Sequence, residues 1–180
     1  FVPKPYAWQI WRTWRGRGGI DFVICPRRRK FGAGKNWSGW SHVSRSLREE
    51  GRTVFAAGAK ETSFTNVPHD DAAWNYARPL DASIEAMRQA RLVIATDTGL
   101  AHLALLVGVP LLLIGSSGGL VAPGPATDDA GKVVAPKFWP VRMNEYYHKA
   151  NHKNVRIVFM PDGWEAPREV ARRAMQLVHA

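Results

Sequence analysis

Short apolar runs alternate along the chain with longer amphipathic segments. The apolar runs predict buried strands, and apolar residues at every third or fourth position in the longer segments predict helices. The predicted strands cover residues 20–25, 53–58, 92–96, 109–115 and 155–160. The predicted helices cover residues 5–15, 37–51, 81–90, 98–108 and 166–180. Strands that are apolar throughout indicate a parallel sheet covered on both sides, and hence a Rossmann-like, doubly wound α/β fold.

Local signals predict where the helices begin and end. The apolar face of the helix over 37–51 consists of Trp37, Trp40, Val43 and Leu47. Ser38 is the expected cap of that helix, and Asp81 or Ser83 is expected near the cap of the next one. Gly108 is expected to end the helix over 98–108, because glycine stops helices. Residues 66–80 are expected to be irregular, and residues 116–131 to form a loop rich in glycine and proline.

Length and composition fit one globular domain covering residues 1–180. Hydrophobic residues make up 46% of the chain and charged residues 22%, which excludes global disorder. The single cysteine, Cys25, excludes an internal disulfide framework and suits a reducing compartment. The apolar runs are too short to span a membrane, and no signal peptide is visible. We therefore expect a cytoplasmic protein without a transmembrane segment.

The net charge of +10 is distributed unevenly. Residues 1–50 hold eleven Lys and Arg against three Asp and Glu, whereas the remaining chain holds fourteen against twelve. A basic N-terminal third is typical of proteins that meet phosphates, nucleic acid, an acidic membrane surface or an acidic partner. A merely solubilising surface explains the same charge.

Residues 1–19 predict a helix rich in tryptophan and arginine. Trp8, Trp11 and Trp14 recur at helical spacing, with Arg12 and Arg15 beside them. This aromatic stripe is expected to pack on the domain or on a missing neighbour. Stacking on nucleic-acid bases is the alternative interpretation.

The segment TDTGLAH at 96–102 is a polar insert between two of the most apolar runs. Ligands bind open α/β sheets beyond the carboxyl ends of the strands, where this insert is predicted to lie. Asp97 makes the turn, and the amides of Thr98 and Gly99 open a helix whose dipole favours a phosphate. His102 lies one turn along and could face the same space. Alternatively, Asp97 caps the helix, Gly99 serves packing and His102 has a structural role.

A basic, glycine-containing loop follows the first predicted strand. It carries Arg27, Arg28, Arg29, Lys30 and Lys35, which could neutralise a diphosphate at the same edge of the sheet. The loop matches neither a P-loop nor the dinucleotide-binding glycine pattern.

A third candidate is Glu61, which follows the second strand at a position where carboxylates often accept hydrogen bonds from ribose hydroxyls. The scattered histidines and the single cysteine show no metal-ligand spacing, so no metal is expected.

These pieces together resemble the C-terminal, donor-binding half of heptosyltransferase-family enzymes, which are inverting glycosyltransferases of the two-domain GT-B type. The resemblance covers about residues 20–120 and depends on four motifs. The matching residues are Lys35 and Trp37, Glu61, Asp97 to His102, and Gly108 to Pro110.

The resemblance implies a nucleotide-diphosphate sugar as donor substrate. It implies that Lys35 contacts the phosphates, that Glu61 contacts the ribose, and that the amides of Thr98 and Gly99 contact the diphosphate. Asp97 and His102 would shape the pocket near the sugar and are the catalytic candidates. Residues near Leu80 would lie against the base, and Arg29 and Lys30 belong to the basic loop that faces the phosphates.

The chain departs from the family pattern in three ways. The RRRK run at 27–30 is more basic than the family pattern, and PGPATDD at 123–129 only echoes the family's usual wording. The 180 residues also leave no room for the N-terminal acceptor domain that normally supplies the catalytic base.

Two other functions stay open at this point. One is a protein that binds or modifies nucleic acid through the basic N-terminal third, and the other is a non-catalytic module that binds nucleotide sugars. A missing acceptor domain, or a partner chain that replaces it, is the partner that the glycosyltransferase hypothesis requires.

Overall fold

A parallel six-stranded sheet forms the centre of the computed structural model. The structure describes residues 19–28, 30, 36–115, 126–127, 133–134, 156–160, 163–164 and 166–179. The strands are β1 (Ile20–Ile24), β2 (Val54–Ala56), β3 (Asp71–Ala72), β4 (Ala90–Ala95), β5 (Leu111–Ile114), β6 (Ala126–Thr127), β7 (Val133–Val134) and β8 (Ile157–Met160). The α-helices are α1 (Trp40–Glu49), α2 (Pro79–Gln89), α3 (Gly99–Val107) and α4 (Pro167–His179), and two short 3₁₀ helices cover Lys60–Thr62 and Ala73–Asn75.

The strand order of the main sheet is β3-β2-β1-β4-β5-β8, and every neighbouring pair is parallel. The chain moves outward from β1 to β3 and then returns to continue on the other side from β4. The order therefore reverses between β1 and β4, where Ile24 pairs with Ile94. In open α/β sheets this reversal leaves a crevice outside the carboxyl ends of the two strands.

Helices cover both faces of the sheet, which confirms the predicted doubly wound α/β fold. On β5, Leu111 and Leu113 face one hydrophobic cluster, whereas Leu112 and Ile114 face the other. Helices α2 and α3 pack on the first side, and α1 and α4 pack on the second. Burial on both faces explains why the strands are apolar at consecutive positions.

The predicted cap residues are wrong in two helices. Helix α1 begins after Gly39 without a side-chain cap, and Ser38 is exposed. Helix α2 begins at Pro79, before the predicted Asp81 or Ser83, because a proline at the first helical position needs no amide partner. The predicted end of α3 is confirmed, since Gly108 follows it with a φ of +85°.

Residues 66–80, expected to be irregular, contain β3, a 3₁₀ helix and the start of α2. Trp74 and Tyr76 are buried there, and the Tyr76 hydroxyl donates a hydrogen bond to Asp71. Burial and this hydrogen bond raise the pKa of Tyr76. These two buried aromatic residues order a segment that the sequence, with its many polar residues, predicted to be irregular.

Strands β6 and β7 form a separate antiparallel pair, so the loop predicted over 116–131 contains one short strand. The helix predicted over residues 5–15, including Trp8, Trp11 and Trp14, lies outside the described residues. Among the helices that are described, none combines the length and the apolar character of a bilayer-spanning segment.

Candidate functional site

The segments that follow β1 and β4 lie side by side at the carboxyl edge of the sheet. The amide of Cys25 donates a hydrogen bond to the carbonyl of Ile94 at 3.0 Å, which continues the pairing to the ends of both strands. Arg27 and Thr96 therefore begin their loops at the same edge. The sequence predicted this neighbourhood for the TDTGLAH insert and the start of the basic loop.

Helix α3 opens at this edge. Thr98 precedes its first residue with an extended backbone, and Gly99 begins the helix. Thr98 is only 6% exposed, and its Oγ1 is buried without a hydrogen-bond partner among the described residues. Gly99 is exposed, and a Cβ added there would meet nothing within 4 Å. The helix start is thus open to a ligand, and a buried hydroxyl lies beside it.

Asp97 and His102 lie close together at the same helix start. The distance from Asp97 Oδ1 to His102 Nε2 is 3.9 Å, and both side chains are partly exposed. The first turn of α3 brings the two together, because the amide of His102 donates to the carbonyl of Thr98 at 3.4 Å. Both predicted catalytic candidates therefore flank the open space in front of Gly99.

A cavity of about 170 Å³ lies beyond the carboxyl ends of β1 and β2, and we call it the edge cavity. Leu80, which is 60% exposed, lies at the start of α2 and lines this cavity. That residues near Leu80 lie against a base stays a prediction. Leu100 brings the first turn of α3 to the opposite side. The lining residues are Arg27, Gly58, Ala59, Thr62, Ser63, Pro79, Leu80, Ser83 and Leu100.

Backbone contacts hold the loop after β2 against the loop after β1. The amide of Arg28 donates to the carbonyl of Thr62 at 2.9 Å, and the amide of Phe64 donates to the carbonyl of Pro26 at 2.8 Å. Glu61 directly precedes these contacts on the 3₁₀ helix Lys60–Thr62, where it is exposed and does not line the edge cavity.

The predicted cations of the basic loop are only partly described. Lys30 is exposed, whereas Arg29 and Lys35 lie outside the described residues. Trp37, which belongs to the same family motif as Lys35, is buried. Its indole Nε1 donates to the carbonyl of Trp164 at 3.0 Å, and its ring packs edge-on against Trp40 at 4.9 Å. Trp37 therefore fixes the end of the basic loop in the core.

Sequence reasoning missed the residues that shape the edge cavity. Gly58 has a φ of +126°, and a Cβ there would lie 2.5 Å from Ser63 Oγ. Ser83 is fully buried and contacts the loop at Gly58. The position of Gly58 at the end of an apolar run could have indicated a tight turn there. Nothing in the sequence distinguishes Ser83 from an ordinary helix residue.

Burial raises the pKa of the Cys25 thiol, which lies at the end of β1 and is completely buried.

Within the described ranges, no three His, Cys, Asp or Glu side chains come together as a metal site. The expectation that no metal is needed stays a prediction.

Comparison with known proteins supports the resemblance. A family profile described as glycosyltransferase family 9 (heptosyltransferase) matches residues 20–153. No curated protein matches the chain significantly.

Several solved structures share the fold. E. coli ADP-heptose lps heptosyltransferase II superposes with a TM-score of 0.55 at 16% identity, covering 90% of this chain and 47% of its own. A family 9 glycosyl transferase from Veillonella parvula DSM 2008 gives 0.53 at 17% identity, with 96% and 51% covered. E. coli heptosyltransferase WaaC with ADP-2-deoxy-2-fluoro heptose gives 0.51 at 14% identity, with 97% and 48% covered. The chain thus spans about half the length of these solved structures.

Proposed function

Because the chain belongs to glycosyltransferase family 9, the heptosyltransferase family, we propose that it is the donor-binding half of an inverting glycosyltransferase. Its donor is a nucleotide-diphosphate sugar, and residues 1–180 form one domain of a GT-B enzyme. One observation supports this proposal above all. The start of α3, the beginning of the loop after β1 and the edge cavity lie at the same edge of the sheet.

The diphosphate binds at the start of α3 in this proposal. The first amides of a helix lack partners within it, and the helix dipole favours an anion there. The exposed Gly99 lets an anion approach the backbone, and the buried Thr98 Oγ1 offers a donor that has no acceptor among the described residues. Lys35, with Arg29 and Lys30, adds positive charge from the basic loop.

The nucleoside extends from the diphosphate toward the edge cavity. Leu80 and Leu100 give the cavity apolar walls that suit a base, and Glu61 on the neighbouring loop accepts hydrogen bonds from the ribose hydroxyls. Asp97 and His102 then lie on the side where the sugar would project.

The reaction is a single displacement at the anomeric carbon. An acceptor oxygen forms the new bond to that carbon from the face opposite the leaving group, the bond to the diphosphate oxygen breaks, and the configuration inverts. The acceptor's proton goes to a general base, which we assign to an acceptor domain or a partner chain. Cations and helix amides stabilise the departing nucleoside diphosphate. A cytoplasmic location fits the single, buried cysteine.

A thermal-shift and calorimetry panel of ADP, UDP, GDP and CDP tests the proposal. One nucleotide is expected to stabilise the chain, by about 2.7 kcal/mol at a hundredfold excess over its Kd. Gly99→Val is expected to remove that binding while keeping the fold, because its side chain projects into open space. The matched control is Arg45→Gln on α1, which lines a groove shared with Thr53 at the opposite edge of the sheet. Absence of binding by every nucleotide would overturn the proposal.

The two alternatives have their own readouts. Donor hydrolysis or sugar transfer by this chain would contradict a non-catalytic module. Binding of DNA or RNA with a steep salt dependence would instead favour the nucleic-acid hypothesis, which depends on the basic N-terminal third of the chain.

A further inference from the structure

We propose that Arg27 is a phosphate-binding residue of the donor site, whose guanidinium binds a phosphate group of the nucleoside diphosphate. The inference rests on the proposed function and deepens it. In the sequence Arg27 is one of several basic residues of the loop. In the structure it is the one that lines the edge cavity, among the residues that are described.

The backbone of Arg27 is held firmly at the end of β1. Its amide donates to the carbonyl of Cys25 at 2.7 Å, and Arg27 forms an antiparallel bridge with Ser63. The contacts of Pro26 with Phe64 and of Arg28 with Thr62 lie on either side of that bridge. The side chain therefore leaves from a fixed point at the edge of the sheet, which limits the conformational freedom lost on binding.

The side chain of Arg27 lines the edge cavity and is half-buried. Its Nε is buried and has no hydrogen-bond partner within the described ranges. A buried donor without an acceptor costs free energy, and the cost is larger when the group is charged. A ligand in the cavity that accepts a hydrogen bond from Nε removes this cost.

The charge around Arg27 favours an anionic ligand. The other described residues that line the cavity are uncharged, and no described carboxylate lies within ion-pair distance of Arg27. A guanidinium presents Nε–H and Nη–H as a planar fork that matches two phosphate oxygens. Leu100 brings the first turn of α3 to the same cavity, so the fork and the helix amides can act on one diphosphate.

Isothermal calorimetry on three variants tests this assignment. The ligands are the nucleoside diphosphate that the unaltered chain binds best and the corresponding nucleoside without phosphates. Arg27→Gln is expected to weaken diphosphate binding by about tenfold or more, with little change for the nucleoside. Arg27→Lys keeps the charge without the fork, so we expect a smaller loss of about threefold to tenfold. Arg45→Gln is the matched control, because Arg45 is exposed on α1 and lines a groove at the opposite edge of the sheet.

Three outcomes overturn the inference. One is unchanged diphosphate affinity in Arg27→Gln, and another is an equal loss for diphosphate and nucleoside, which would put the guanidinium on the base or ribose. The third is an equal loss in the Arg45→Gln control. If Arg27→Gln does not fold, the affinities of Arg27→Lys for the diphosphate and for the nucleoside are compared instead. A failure of the proposed function is distinguishable, because the unaltered chain would then bind no nucleotide at all.

Discussion

The amide of Gly58 donates a hydrogen bond to the Oγ of Ser83, 3.1 Å away. The same hydroxyl donates to the carbonyl of Pro79 at 2.8 Å, in the first turn of α2. One buried side chain thus connects the loop after β2 to the start of the next helix. Since both elements line the edge cavity, this connection joins two parts of the cavity wall.

Ser83→Ala is expected to loosen that connection. Removal of the hydroxyl leaves the buried Gly58 amide and Pro79 carbonyl short of a partner, which costs about 1–3 kcal/mol of the free energy of unfolding. Nucleotide affinity is expected to fall as well, because the cavity wall becomes less fixed. Urea denaturation and calorimetry measure the two effects. Ser38→Ala, at an exposed position without a capping hydrogen bond, is expected to change neither.

Gly58→Ala and Gly99→Ala are expected to behave differently although both glycines border the site. At Gly58 the new Cβ would lie 2.5 Å from Ser63 Oγ, on a backbone with a φ of +126°. We expect a destabilisation of about 1–3 kcal/mol there, since side chains rarely adopt that conformation.

At Gly99 the new methyl meets nothing within 4 Å, and alanine is the better helix former. Thermal unfolding of the two variants separates these cases. An equal loss of melting temperature would show that Gly99 is a structural residue.

Trp37→Phe is expected to weaken nucleotide binding from a distance. The phenyl ring keeps most of the buried apolar area, but the hydrogen bond from Nε1 to the carbonyl of Trp164 is lost, at a cost of about 1 kcal/mol. Because Trp37 follows the proposed phosphate ligand Lys35 by two residues, loss of this hydrogen bond is expected to reduce the affinity for nucleoside diphosphate. Calorimetry measures the affinity of Trp37→Phe for nucleoside diphosphate, with Lys35→Ala measured in parallel. Equal affinity in Trp37→Phe and the unaltered chain would limit Trp37 to a packing role.

Cys25 is expected to resist alkylation in the folded chain. Burial raises the pKa of its thiol above the ordinary value of 9.0, so the reactive thiolate is absent at pH 8. Iodoacetamide is expected to modify Cys25 only after unfolding in urea, as followed by mass spectrometry. Rapid modification of the native chain would contradict the burial of β1.

The same shift predicts a pH dependence of stability. The native thiol keeps its proton, whereas the unfolded thiol releases it above pH 9.0, so the free energy of unfolding is expected to fall as the pH rises through that value. Cys25→Ala removes this component. Comparing the two chains in urea at pH 7 and pH 10 therefore isolates the contribution of the thiol.

Much of the fold was predictable because apolar runs report burial directly. The runs at 92–96 and 109–115 were recognisable as strands buried on both faces, and β4 and β5 lie within or next to them. Short polar segments were harder to interpret. The order within 66–80 depends on Trp74 and Tyr76, which pack against distant parts of the chain in addition to the local hydrogen bond from Tyr76 to Asp71.

The candidate site was predictable in its location but incomplete in its composition. Strand ends followed by Asp97, Thr98 and Gly99 indicate a ligand edge, because parallel strands end together. The contact between Gly58 and Ser83 joins residues 25 positions apart, and local sequence patterns do not encode such pairs.

The reversal of strand order between β1 and β4 divides the sheet into two successive halves, and the edge cavity draws its walls from both. A molecule bound there would add contacts between two parts of the chain that the pairing of β1 with β4 and the packing of α1 on α4 already join. Binding would then stabilise the whole sheet against unfolding, because the two halves could not separate without releasing the bound molecule.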